Sequence, residues 1–208
     1  MNFDKKTTVV ISNNQKIKGE TNIYTELFRE GLDLLHLRKY GYPEYRIQSI
    51  IEGIPVEYHK KIVLHSHYPL AISYNLGGIH ITREKRNDLL FMYLGIRKFI
   101  KNKDLTISIS YHSTRKIENG ASYIDYFFLN SIFGSIYEGG KHAYKEPDKL
   151  AEFLRATKKK IVPLGGIDLI NIDMIKEIGF NAIGLHGAIW TFENPVEKFC
   201  RIRDAFLS

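Results

Sequence analysis

Apolar positions along the chain gather into eight short β-rich runs, separated by longer stretches of helical period. The runs are Thr7–Ser12, Leu32–Arg38, Lys61–His65, Gly78–Thr82, Leu105–Tyr111, Asp125–Leu129, Lys160–Leu164 and Asn181–His186. Between and after them, the spacing predicts helices over Thr21–Glu30, Pro43–Tyr58, Pro69–Asn75, Asn87–Lys101, Thr114–Asn119, Pro147–Thr157, Ile172–Ile178 and Pro195–Phe206. Pro43, Pro147 and Pro195 stand where a first helical turn tolerates a missing N–H. Gly31, Gly77, Gly120 and Gly179 follow helical patterns, where a left-handed cap suits glycine. Strands that alternate with helices imply a parallel sheet with right-handed crossovers. The prediction is an α/β fold, a single (β/α)8 TIM barrel occupying residues 1–208 as one domain. An open doubly wound sheet is the alternative. It would want a glycine-rich fingerprint after the first strand, and Ser12-Asn13-Asn14-Gln15 lacks one.

Composition narrows this picture without changing it. With 44% hydrophobic and 25% charged residues, the 208-residue chain reads as an ordinary globular protein, neither disordered nor low-complexity. The single cysteine, Cys200, excludes an internal disulfide framework and fits a reducing compartment. No apolar run approaches the roughly eighteen residues of a membrane span, and Met1–Lys6 lead into a strand rather than a signal-peptide core. The expectation is a cytoplasmic protein with no membrane partner. A net charge of +7 raises the question of nucleic acid. Its lysines and arginines are scattered, with no aromatic-basic array or helix-turn-helix signature, so nucleic acid is not expected as a partner.

Barrel chemistry sits at the C-terminal strand ends. Those ends carry His36 and Arg38, which share one face by period-two alternation, then His65-Ser66-His67, His80, Ser110 to His112, Asn130-Ser131, Gly165-Gly166 and His186-Gly187. Six of the 8 histidines therefore fall at strand ends, where carboxylates are scarce. A pocket rich in Arg, His and Ser suits a phosphate ester, and suits a hard cation such as Mg2+ badly. The glycines after the seventh and eighth runs strengthen the phosphate reading, because backbone N–H groups in these loops often hold that anion. The long polar segment after the sixth run, Asn130 to Tyr144, reads as an active-site lid with Lys141 in reach of an anion. His65-Ser66-His67 is also the spacing of zinc-bearing barrel hydrolases, which need further acidic ligands.

At these residues the chain resembles the thiamine phosphate synthase and TenI thiazole tautomerase family, from about Leu32 to Ile202. The resemblance rests on Leu35-His36-Leu37-Arg38-Lys39, Gly78-Ile79-His80-Ile81, Ser110-Tyr111-His112-Ser113, Leu164-Gly165-Gly166-Ile167 and Leu185-His186-Gly187-Ala188-Ile189. It implies a small (β/α)8 barrel that couples hydroxymethylpyrimidine pyrophosphate to thiazole phosphate and releases pyrophosphate. Arg38 would then bind pyrophosphate, helped by Lys39, Ser110 and Lys141. Backbone N–H groups at Gly165, Gly166, His186 and Gly187 would hold the thiazole phosphate, and His36 would meet the pyrimidine. The implied cofactor is Mg2+, but the family's Asn-Asp pair falls on His65-Ser66, and Glu84 is the nearest substitute for its second carboxylate. TenI-type tautomerases move a proton without magnesium. The strand-six histidine that some of them use falls on Ser131, leaving His36, His65, His112 or His186 as replacements. A non-catalytic phosphate-ligand binder is the reading from another class.

Overall fold

The structure, a computed structural model, describes residues 5–102, 104–133 and 146–208. Its strands are β1 (Thr7–Ile11), β2 (Leu34–Leu37), β3 (Ile62–Leu64), β4 (Gly78–Ile81), β5 (Thr106–Tyr111), β6 (Tyr126–Asn130), β7 (Ile161–Leu164) and β8 (Ala182–Leu185). They are parallel and hydrogen-bond in the order β1 to β8 and back to β1, the strand order of a closed (β/α)8 barrel. Contacts divide the chain into two compact units. One comprises Ile11–Ser110 and Ala121–Asp125; the other comprises Met1–Val10, Tyr111–Gly120 and Tyr126–Ser208. They are called the β2–β5 and β6–β8 units below.

In the β2–β5 unit the strands are short and buried on both faces, as parallel strands covered by helices must be. Helix α1 (Glu20–Arg29) packs Tyr24, Leu27 and Phe28 inward at the i, i+3, i+4 spacing. The predicted helix from Pro43 stops early. Helix α2 spans Glu44–Glu52, and a 3-10 turn follows over Val56–Lys61. Pro55 supplies no N–H and disfavours helical geometry at Ile54, so the pattern cannot run through it. After α3 (Pro69–Ser73), the predicted helix over Asn87–Lys101 is found over residues 89–100, preceded by a separate short helix that the pattern did not show. Thr82 Oγ1 accepts from the Lys85 N–H to start α4 (Arg83–Asn87), and Asp88 accepts from the Phe91 N–H to restart the chain, which ends in α5 (Ile96–Ile100).

In the β6–β8 unit, helices α6 (Thr114–Glu118), α7 (Pro147–Ala156), α8 (Ile172–Ile178), α9 (Gly187–Trp190) and α10 (Pro195–Leu207) accompany the strands. Phe127, Phe128, Val162, Ile183, Phe199, Ile202 and Phe206 lie in its core. Lys6 donates to the carbonyls of Phe206 and Leu207 and so caps the negative end of α10. The short α9 carries no long apolar period, which is why periodicity alone does not show it. Gly31 and Gly179 take the expected left-handed conformation, but Gly77 and Gly120 do not. Space decides those two: a Cβ on Gly77 would lie 2.2 Å from the Lys60 carbonyl oxygen, and one on Gly120 would lie 2.4 Å from the Phe127 ring. Among the described residues, no helix is long and apolar enough to cross a membrane.

Candidate active site

In the β2–β5 unit, strand register determines which polar side chains meet. His36 stands level with Val63, Val63 with Gly78, and His80 with Ser108. Alternation from these pairs puts His36, His65, His80, Ser108 and Ser110 on one face. His36, His65, His80 and Ser108 are all buried there. His36 Nδ1 lies 3.0 Å from His65 Nε2. The His80 ring sits between two hydroxyls, with Nδ1 at 2.9 Å from Ser108 Oγ and Nε2 at 3.1 Å from Ser110 Oγ. The His65 and His80 rings stack with centroids 4.3 Å apart. Burial pushes His36 and His65 well below the usual imidazole range, and the neighbouring His80 adds to both shifts. His80 is pushed down to about 3, first by burial and then by the charges of Arg38 and Arg86. All three imidazoles are therefore neutral near pH 7. Arg38 is half-buried, with its guanidinium over the Tyr40 ring and its backbone held at both N–H and carbonyl by Ser12 Oγ. Arg86 donates to the Ser110 carbonyl.

Beside this cluster, at the ends of β2, β3 and β4, lies a cavity of about 570 Å³. Tyr40, Tyr42, Tyr68, Phe91 and Phe99 give it aromatic walls; Lys39, Lys85 and Lys98 line it as cations, and His65 and His67 add imidazoles. Glu84 is the one carboxylate among the described residues lining it.

The placement of three expected groups bears on their roles. Lys39 lines that cavity, but its ammonium is engaged within the fold. Its side chain is fully buried, ion-paired with Glu20, and donates to the Gln15 carbonyl. Period-two alternation turns it to the opposite face from Arg38. His36 exposes no surface, so the expected contact with a pyrimidine does not fit its placement. His65 and His67 do not share a strand face as a zinc hydrolase pattern would require. Strand β3 ends at Leu64, His67 has φ 49°, and its Nε2 bonds the Tyr42 carbonyl. Sequence reasoning placed His80 at a strand end without assigning it a specific part, and assigned none to Ser108. The available signal was a polar residue at inward positions of apolar strands, in Ile79-His80-Ile81 and Ile107-Ser108-Ile109.

In the β6–β8 unit, Ser131 Oγ lies 3.3 Å from His112 Nδ1, and both residues are exposed. Ser131 has φ 62°, and Gly165 and Gly166 have φ 107° and 65°. The β7 turn is braced: Asn171 Nδ2 donates to the Gly166 carbonyl, and Asp168 and Asn171 form a reciprocal cap. Lys198 ion-pairs with Asp168. His186 and Gly187 make the turn into α9 at the end of β8. Lys141 and residues 134–144 of the expected lid lie outside the described residues.

Among the described residues, those at the implied positions do not fit Mg2+. A hard cation wants oxygen ligands, and the positions implied for it hold the buried imidazole of His65, the Ser66 hydroxyl and an exposed Glu84 on α4.

Strand order and polar strand ends together define a (β/α)8 barrel of the kind that works at its C-terminal face. The family model described as thiamine monophosphate synthase (TMP-TENI) matches residues 8–189. The chain belongs to that family. It is 24% identical over 185 residues to a thiamine-phosphate synthase of Prochlorococcus marinus, a match covering 84% of this chain. The chain spans about half (49%) of the length of that curated relative. Among solved structures, a thiamine phosphate pyrophosphorylase from Bacteroides thetaiotaomicron is 29% identical, with a TM-score of 0.75 and 96% of each chain covered. A thiamine phosphate pyrophosphorylase from Pyrococcus furiosus has a TM-score of 0.76 at 16% identity, covering 98% of this chain and 96% of its own, a likeness of fold.

Proposed function

We propose that the chain joins a pyrimidine pyrophosphate to a thiazole phosphate, forming thiamine phosphate. In that step the C–O bond to pyrophosphate breaks and pyrophosphate leaves with its electron pair. The thiazole nitrogen then supplies the pair for the new C–N bond. The observation that carries this reading is the cavity at the ends of β2–β4, whose aromatic walls suit a pyrimidine ring and whose cations suit a pyrophosphate. Lys85 and Lys98 of the cavity, with Arg38, whose guanidinium lies over the cavity-lining Tyr40, would meet the charge that develops on the leaving group. Gly165, Gly166, His186 and Gly187 would offer backbone N–H groups to the thiazole phosphate. No step here is assigned to Mg2+.

The test is incubation of the full chain with both substrates, with and without Mg2+, followed by assay for thiamine phosphate. Product is expected, and Arg38→Ala should lower its rate by about 10²–10³-fold, the usual loss when a transition-state charge loses its donor. No product under either condition overturns the reading.

The Ser131–His112 pair favours a second reading, TenI-type proton transfer on thiazole phosphate. The serine occupies the position of the tautomerase histidine, and an imidazole lies within reach of it. That reading expects the non-aromatic thiazole signal to decay faster than in buffer, and more slowly in His112→Gln. Decay at the buffer rate rejects it.

A further inference from the structure

No step of the reaction proposed above is assigned to the three buried histidines of the β2–β5 unit, of which His65 alone also lines the cavity. The interior of a barrel is ordinarily filled by branched apolar side chains. Here three imidazoles come from three successive strands, each flanked in sequence by Leu or Ile: Leu35-His36-Leu37, Leu64-His65 and Ile79-His80-Ile81. Burying one imidazole costs free energy unless its nitrogens find partners, and burying three in contact multiplies that cost. Hydrogen bonds cover part of it, through His36 to His65 and through Ser108 and Ser110 to His80. They do not cover all of it. His65 Nδ1 is buried with no hydrogen-bond partner among the described residues, on a side chain that is itself 6% exposed.

One ring nitrogen from each of the three residues lies within 4.8 Å of the others. Tetrahedral coordination at a metal–nitrogen distance of about 2.0–2.1 Å needs ligand nitrogens roughly 3.3 Å apart, so small ring rotations would close the set. The donors are all neutral nitrogen and the described cluster holds no carboxylate. That composition excludes a hard cation and matches the borderline ions that imidazole prefers. We propose that His36, His65 and His80 bind one divalent transition metal of the Zn2+ or Co2+ class, one ring nitrogen from each, with a fourth position left for a small ligand. Ser108 and Ser110 then act as orienting groups, since whichever His80 nitrogen stays off the metal remains bonded to a hydroxyl. The charges of Arg38 and Arg86 act on His80 and work against a bare dication, so the fourth ligand is anionic. The site is separate from the oxygen-ligand magnesium site that the family resemblance implies. It does not rest on the synthase reading either, and its test needs no substrate.

The experiment strips the full chain with a chelator, titrates Co2+ while following visible absorbance, and measures zinc content by elemental analysis after loading and gel filtration. Expected are about one ion per chain and the intense ligand-field bands of four-coordinate Co2+. His65→Ala and His80→Ala should bind at least about tenfold more weakly. His59→Gln, whose ring bonds the Ile51 and Ile54 carbonyls outside the cluster, should bind like the parent chain. Sub-stoichiometric uptake, or equal affinity in the His65 and His80 variants, overturns the proposal. Where an alanine variant fails to fold by circular dichroism, the parent spectrum decides alone, and the weak bands of six-coordinate Co2+ overturn it.

Discussion

The ends of β2–β4 and the ends of β6–β8 solve the same problem with different parts of the chain. At β2–β4 the polar groups are side chains: His36 and His80 within register-locked strands, Arg38 and His65 just past the strand ends. At β6 and β7 the distinctive feature is the backbone, with Ser131, Gly165 and Gly166 all at positive φ and a cap between Asp168 and Asn171 holding the turn. Side chains on register-locked strands supply pKa-shifted groups and ligands. A turn that exposes N–H groups supplies donors that carry no titration and no net charge. The difference teaches that residue identity predicts function in the first region, whereas conformation predicts it in the second.

Lys39 separates these two kinds of role most sharply. It is a cation beside the presumptive anion ligand Arg38, yet its ammonium is spent inside the fold on Glu20 and the Gln15 carbonyl. Glu20 also accepts from the Tyr24 hydroxyl, whose pKa is raised by burial and then by the Glu20 charge. Lys39→Met removes one partner of a buried ion pair and strands the other. Urea unfolding should show a loss of about 3–5 kcal/mol. A lysine that served only as a substrate ligand would leave stability unchanged and lower activity, which would return Lys39 to the site.

Gly165 tests the backbone side of the comparison. Its φ of 107° is disfavoured for any residue with a Cβ, and an added Cβ would lie 3.0 Å from both the Cα and the N of Ser131. Those neighbours are backbone, held by the Ile132 N–H to Leu164 carbonyl and Phe133 N–H to Gly165 carbonyl bonds, so they cannot yield by rotating a side chain. Gly165→Ala should cost about 1–3 kcal/mol in unfolding free energy. The same substitution at Gly41, which also has positive φ but open space around its Cβ position, should cost less. Equal losses at both sites would assign the cost to φ alone and remove the argument for close approach.

What the sequence made legible follows the same division. The strands could be read because fully buried parallel strands are runs such as Thr-Thr-Val-Val-Ile in β1 and Tyr-Phe-Phe-Leu-Asn in β6. The short α4, capped by Thr82, was not shown by periodicity because its five residues include no apolar side chain to mark a face. The histidines were visible singly at their strand ends. Their convergence was not, because it depends on the offsets that level His36 with Val63 and His80 with Ser108. The ion pair of Lys39 was hidden for a related reason: its partner Glu20 lies on α1, and no local pattern links the two. Gly165 and Gly166 were read as phosphate-loop glycines from residue type, and their positive φ agrees with a turn that needs glycine.

The buried histidines offer the finest probe of the side-chain region, through acid. His80 has a folded pKa of about 3 and an unfolded value of about 6.5, so between these pH values the unfolded chain holds one more proton. Its contribution to stability is complete above about pH 6.5 and is lost as pH falls toward 3. Among the described residues, the groups facing His80 include His36 from β2, His65 at the end of β3, the hydroxyls of Ser108 and Ser110 from β5, and the charges of Arg38 and Arg86. None of these is a carboxylate that could hold an imidazolium in place, so protonation inside the folded barrel finds no compensation from them. In chelator, where any bound metal is removed, urea unfolding of the parent chain should lose about 1.4 kcal/mol per pH unit from this residue below pH 6. His80→Asn should lower stability at pH 7 while removing that share of the slope, so that parent and variant converge as the solution is acidified. Parallel curves for the two proteins would mean that His80 titrates normally in the folded chain. The β2–β4 ends would then be as open to solvent as the exposed His112–Ser131 pair at β5 and β6, and the contrast between the two regions would fail there.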